Sequence, residues 1–218
     1  TWGEAYIEEG IPSEVFDDGC TVRYDTFRVA MAEPQLLDGN GAVVGEITPA
    51  EAVDLTVAGP VEMGTVAVPP DHYSSVRVVV APVADEASVL VDGTLSCDAG
   101  SAHFRWTFDG STTYDCEPAD LTIPAGGSDT TQITIHGDHL FYDGLEDADA
   151  AIRGQELLDA DADADGEITL DELDAVSIPA LGYDVGQYSD VLTLRQFVSH
   201  LSRTIAHVDG EGECRVDF

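Results

Sequence analysis

The stretch Val89-Leu-Val-Asp-Gly-Thr-Leu-Ser-Cys-Asp-Ala-Gly-Ser-Ala-His-Phe-Arg-Trp-Thr-Phe-Asp-Gly-Ser-Thr-Thr-Tyr-Asp-Cys116 decides the fold class. Val89, Val91 and Leu95 fall on one face of a first strand, and Phe104, Trp106 and Phe108 on one face of a second. A repeat of two residues with β-branched and aromatic side chains on one face is the pattern of a half-buried strand. Asp109-Gly110 turns the chain into a third run, residues 111–116. The three runs read as one β-meander.

The same reading extends outward. Residues 22–31 alternate, with Phe27, Val29 and Met31 on one face, and Asp38-Gly39-Asn40-Gly41 separates two apolar runs as a hairpin turn. Residues 53–57, 66–68 and 76–81 are further strand candidates, punctuated by Pro69-Pro70-Asp71, because proline cannot donate into a ladder. Residues 130–136 alternate again, with Ile133 and Ile135 together. Short strands at this spacing predict a mainly β protein, an antiparallel sandwich of Greek-key or immunoglobulin-like type over residues 1–141. Residues 53–80, with the proline turn and Tyr73, loosely resemble bacterial secreted and lipoprotein sandwich domains, a likeness that implies no activity.

Charge sets what the molecule can touch. The 218 residues contain 43 acids and 8 basic residues, every one of the latter an arginine, for a formal net charge of −35. A nucleic-acid binder needs a basic face, which this composition cannot assemble. The same charge argues against docking on anionic lipid. Disorder is not implied, since 44% of the residues are apolar. Extreme acidity without lysine fits a salty medium, where self-repulsion is screened over a few Å, and so a marine or halophilic microbe.

After residue 141 the pattern changes. Residues 143–174 hold 13 acids and one arginine, and the apolar spacing becomes helical. Leu194, Phe197, Val198, Leu201, Ile205 and Val208 form a stripe for one last helix, started by a capping box of Thr193 with Gln196. Residues 142–218 are therefore expected to be a small helical module packed on the sandwich.

Within it, Asp161-Ala-Asp163-Ala-Asp165-Gly166-Glu167-Ile168-Thr169-Leu170-Asp171-Glu172 satisfies the pattern D-x-D-x-D-G-x5-E and resembles the calcium-binding loop of the EF-hand family. The resemblance covers about 30 residues, counting an entering helix over 148–158 and an exiting one that ends before Pro179. It implies calcium held by the carboxylates of Asp161, Asp163 and Asp165, the backbone carbonyl of Glu167, a water on Thr169, and both oxygens of Glu172. Gly166 takes the turn with positive φ that the sixth position requires. A dockerin repeat is the nearest lookalike, but dockerins usually carry two such loops and end them in Asp. Ile168-Thr-Leu-Asp-Glu-Leu173 recurs as Leu192-Thr-Leu-Arg-Gln-Phe197, with Val185, Gln187 and Ser189 where acids belong. That second copy is expected to bind nothing, and to steady the first by placing Leu192 beside Ile168.

Two weaker groups remain. His136 and His139 form the most histidine-dense stretch and are candidate ligands for copper or zinc, with Asp138 or Asp143 completing the shell. His200 and His207 are seven apart on the expected last helix, roughly 10 Å from each other, but either can reach His136 or His139 across the fold. His103, beside Phe104 and Trp106, reads as a surface neighbour of the core rather than a ligand. Cys20, Cys97, Cys116 and Cys214 form no zinc pattern and are expected to make disulfides. Of three pairings we favour Cys97–Cys116 with Cys20–Cys214, because the first pair would flank the short meander.

The chain shows no run of ~18 apolar residues, and begins at Thr1 without an apolar signal region, as expected of a mature exported protein. No nucleophile elbow, H-E-x-x-H or Walker loop is present. The leading expectation is a non-enzymatic, secreted or cell-surface calcium-binding protein with structural calcium. The alternatives are a periplasmic or surface copper or zinc protein using His136 and His139, and a calcium-stabilised subunit of an extracellular filament or surface layer.

Overall fold

The computed structural model of the chain describes residues 4–47, 52–117, 121–147, 149–209 and 214–217. Helix α1 (Glu4–Glu9) precedes β1 (Thr21–Val29), the hairpin of β2 (Gln35–Leu37) and β3 (Val43–Glu46), and the short β4 (Val53–Asp54). Then come β5 (Asp71–His72), β6 (Ser75–Val80), β7 (Val89–Cys97), β8 (Gly100–Phe108), β9 (Thr112–Cys116), β10 (Thr122–Ile123) and β11 (Ile133–Ile135). A 3-10 turn at Asp138–Phe141 leads to α2 (Gln155–Leu158), β12 (Glu167–Ile168), α3 (Leu170–Ala175) and α4 (Ile178–Leu181). The chain finishes with α5 (Leu194–Leu201), β13 (Ala206–Val208) and β14 (Cys214–Asp217). Strand accounts for 36% and helix for 15%, so the class is mainly β, and among the described residues none of the sheets closes on itself.

Two five-stranded sheets dominate the described residues, ordered β12-β8-β7-β1-β4 and β14-β9-β6-β2-β3. Their strand pairs are antiparallel except β12 with β8. Alternation places the expected residues inside: Phe27, Val29, Val91, Leu95, Phe104 and Trp106 are fully enclosed. From the second sheet Val78, Val80, Tyr114 and Cys116 join the same hydrophobic cluster. In β1 the parity of the pattern changes, because a bulge between Tyr24 and Thr26 inserts Asp25. The extra residue lets both Tyr24 and Phe27 point inward, their rings edge to face at 5.0 Å, while Asp25 stays exposed.

The meander is where the sequence reading fails. β8 and β9 are not neighbours: after Asp109-Gly110 the chain crosses to the other sheet, where β9 pairs with β6. Cys97 and Cys116 therefore lie in different sheets, and the expected Cys97–Cys116 and Cys20–Cys214 bonds are replaced by Cys20–Cys97 and Cys116–Cys214. Strand register dictates both. Thr21 pairs with Ser96, which brings Cys20 to Cys97, and Cys214 lies directly opposite Cys116 on β14. Residues 66–68 form no strand, and the run at 53–57 contributes only Val53–Asp54.

The last third also departs from a purely helical module. β12 extends the first sheet, β14 the second, and β13 pairs with β11. The apolar stripe from Leu194 stays helical only to Leu201; Ile205 and Val208 are buried, but Val208 is buried from strand β13. The entering helix spans Gln155–Leu158 rather than 148–158, and Ala148 lies outside the described residues. Its start is fixed from afar, because the N–H groups of Gly154 and Gln155 both donate to Oδ2 of Asp18, at 2.7 and 2.8 Å. Among the described residues no helix is long and apolar enough to cross a membrane.

Peptide mapping without reduction should return Cys20 linked to Cys97 and Cys116 linked to Cys214; a Cys97–Cys116 peptide would contradict the two-sheet topology. Replacing Cys20 and Cys97 together by serine opens a closure of 77 residues. It should lower stability by roughly 4 kcal/mol in urea unfolding.

Candidate metal centre

The acidic loop begins one residue after Ala160, which is 3% exposed and seats the end of α2 in the core with Leu157. Asp161, Asp163 and Asp165 turn carboxylate oxygens toward one another, the three ligand atoms lying within 4.8 Å. Backbone N–H groups hold them in place. Asp165 donates to Oδ1 of Asp161 and to Oδ1 of Asp163, both at 3.2 Å. Gly166 donates to Oδ2 of Asp161 at 3.0 Å and Glu167 to Oδ1 of Asp165 at 2.9 Å. Two residues with positive φ make the turn, Ala164 at 57° and Gly166 at 86°. Glycine adopts that conformation freely; for alanine it costs about 1–2 kcal/mol. Three converging carboxylates also repel one another, and a bound cation removes that repulsion.

The loop is fastened to the first sheet. Glu167 and Ile168 run parallel to β8 opposite His103 and Phe104. The His103 N–H donates to the Gly166 carbonyl at 2.8 Å, and the Trp106 indole N–H to the Ile168 carbonyl at 2.8 Å. Ile168 is 1% exposed. Thr169 then caps α3: the Glu172 N–H donates to Oγ1 of Thr169 at 3.2 Å, and the Thr169 N–H to Oε2 of Glu172 at 2.9 Å. Glu172 is thus engaged with Thr169 and is not gathered with the three aspartates. The Glu167 carboxylate points elsewhere too, to Nδ1 of His103 at 2.7 Å, so what Glu167 can offer the loop is its backbone carbonyl.

The second copy of the motif is real as a cap and different as a partner. Thr193 and Gln196 form the same capping box as Thr169 and Glu172. Thr193 also donates to Asp174 at 2.9 Å, and Arg195 to Asp171 at 2.8 Å, so α5 braces α3. Leu192, however, is 54% exposed and its carbonyl accepts from Ile178, not beside Ile168, whose place is taken by Phe104 of β8.

The histidine group gained a member. His136 is 3% exposed, just beyond β11, and β13 pairs with β11 so that His207 lies opposite Thr134. The rings of His136, His139 and His207 sit with centroids 4.7–5.2 Å apart. The Nδ1 of His139 donates to the Thr204 carbonyl at 2.8 Å. Nδ1 of His136 is 3.8 Å from Oδ1 of Asp138. Among the described residues, three or more donor atoms come within 4.8 Å of one another at the loop aspartates and at Asp25, Asp92 and His103; the His136 group is not such a place. His103 was not expected to matter. It bridges Asp92, Nε2 to Oδ1 at 2.8 Å, and Glu167. The Glu167 contact chiefly raises its pKa, burial opposes, and Asp92 adds to the rise. His200 stays on α5 against Tyr188.

No protein-family model matches the chain, and no curated protein or solved structure matches it either.

Burial, reinforced by the neighbouring His136 and His207, pushes the His139 pKa down to about 3 from its usual 6.5. As pH falls from 6.5 toward 3 the unfolded chain takes up a proton that folded His139 refuses, so this group subtracts stability across that window and costs nothing above it. The His139 ring signals in NMR should stay at their neutral positions at pH 5. Titration near 6.5 would contradict the enclosure.

Proposed function

We propose that this chain is an extracellular or cell-surface calcium-binding protein, in which the ion has a structural rather than catalytic role. The observation that carries the reading is the convergence of Asp161, Asp163 and Asp165 within 4.8 Å, on a loop fastened to the edge of the first sheet. Oxygen donors only, in an acidic loop, suit a hard cation of calcium's size. Glu172 completes the shell by turning from Thr169 toward the ion, and the Glu167 carbonyl and a water on Thr169 fill the remaining positions. The two five-stranded sheets share one hydrophobic cluster, which favours a sandwich with the loop, α2 and α3 forming an EF-hand-like appendage at one edge. Two disulfides fit an oxidising compartment, the setting in which millimolar calcium is also found. Copper or zinc at His136, His139 and Asp138 is the second reading; the arrival of His207 favours it, and the donor atoms would have to move together to realise it.

Extracellular sites of this class bind at about 10⁻⁴–10⁻³ M. At the tight end, 1 mM calcium adds about 1.4 kcal/mol of stability, or about 4 °C in Tm for a chain of this size. Chelation should therefore lower the melting temperature by about that amount. Glu172→Gln and Asp161→Asn should each make the melt indifferent to calcium. An identical melt with and without chelator would defeat the structural role, and sedimentation in the same buffers separates a monomeric binder from a calcium-assembled filament subunit.

A further inference from the structure

Asp25, Asp92 and His103 are brought together from three neighbouring strands of the first sheet. β7 pairs with β1 on one side and β8 on the other, so Asp92 lies between the other two. Asp25 is the residue the β1 bulge inserts, and bulges commonly re-aim a side chain at a functional site. One donor atom from each of the three falls within 4.8 Å of the other two. This is not a purely acidic group: it contains an imidazole whose second nitrogen is already assigned. Nδ1 of His103 is 2.7 Å from Oε2 of Glu167, which leaves Nε2 facing Asp92 at 2.8 Å. A carboxylate accepting from one ring nitrogen while the other binds a metal is the usual setting of a histidine ligand, because it fixes both tautomer and ring orientation.

The geometry points to a transition-metal site, zinc-like in donor set, formed by Nε2 of His103 and carboxylate oxygens of Asp92 and Asp25, with Glu167 positioning the imidazole. Nitrogen and oxygen bonds to zinc near 2.0–2.1 Å in a tetrahedron place neighbouring ligand atoms about 3.3 Å apart. The present 2.8 Å between Nε2 and Oδ1 of Asp92 opens by about 0.5 Å to admit the ion. Asp25, exposed on its bulge, closes from the far side, and water takes the fourth position. The ion replaces the proton on Nε2, which leaves to solvent. Arg105 keeps its contact with Oδ2 of Asp92 and holds that carboxylate oriented. The donor set differs from the all-oxygen loop, so the two sites sort ions by ligand chemistry: imidazole suits zinc, copper and nickel, and carboxylates alone suit calcium.

This site stands on its own residues and does not depend on the calcium reading. The full chain is dialysed against micromolar zinc with excess calcium present, and bound metal is counted by elemental analysis. One equivalent of zinc is expected in the wild type and in Asp163→Asn, which touches the acidic loop alone. His103→Gln should lose it entirely, and Asp25→Asn, at an exposed position that leaves the ladder intact, should weaken it tenfold or more. Glu167→Gln should weaken binding about 10–100-fold while the stoichiometry at saturating zinc is kept, the mark of a positioning residue. Near-UV circular dichroism checks that each variant is folded. Absence of zinc from the wild type, retention of it in folded His103→Gln, or its loss in Asp163→Asn would each overturn the assignment, the last by moving the ion to the acidic loop.

Discussion

The acidic loop at the edge of the first sheet hangs from the short parallel pairing of Glu167 and Ile168 with β8. Two residues of ladder are weak alone. They are reinforced by the His103 N–H on the Gly166 carbonyl, the Trp106 indole on the Ile168 carbonyl, and burial of the Ile168 side chain. Trp106 is the central element, since its ring is enclosed in the core while its one polar atom reaches the loop. The acidic loop is thereby rooted in the same packing that holds the sheets, although its carboxylates lie at the surface. Ordering a charged loop costs conformational entropy, and these contacts offset part of that cost.

The charge balance supports the proposed ion. Six of the eight arginines are committed to ion pairs elsewhere: Arg28 with Glu86, Arg77 and Arg215 with Asp115, Arg105 with Asp92, Arg153 with Asp143, and Arg195 with Asp171. Among the described residues, none of the chain's cations pairs with Asp161, Asp163 or Asp165. Partly exposed pairs of this kind contribute little to stability one by one. Their effect here is on where negative charge is left over, and the loop is one such place.

How much of this was legible in the sequence follows from the range of each signal. Alternation is local, so Phe27, Val29, Val91, Phe104 and Trp106 were readable as core, and the Thr193 capping box as a helix start. The choice of sheet is not local. Asp109-Gly110 looks like a hairpin turn whether the next strand returns to β8 or crosses to β6, and the disulfide assignment failed with that ambiguity. The stripe from Leu194 to Val208 matched helical spacing throughout, yet the helix stops at Leu201, so His207 arrives beside His136 from a strand rather than standing two turns from His200. The Asp25, Asp92 and His103 group was invisible because a one-residue bulge and the register of three strands create it, and neither leaves a local pattern to read.

The most direct test is a crystal structure at millimolar calcium, with anomalous data to identify the ion. The account predicts one calcium between Asp161 and Glu172, ringed by six to eight oxygens at about 2.3–2.6 Å, with Ile168 still paired to Phe104. An empty loop at that concentration, or a loop detached from β8 when the ion is bound, would contradict it.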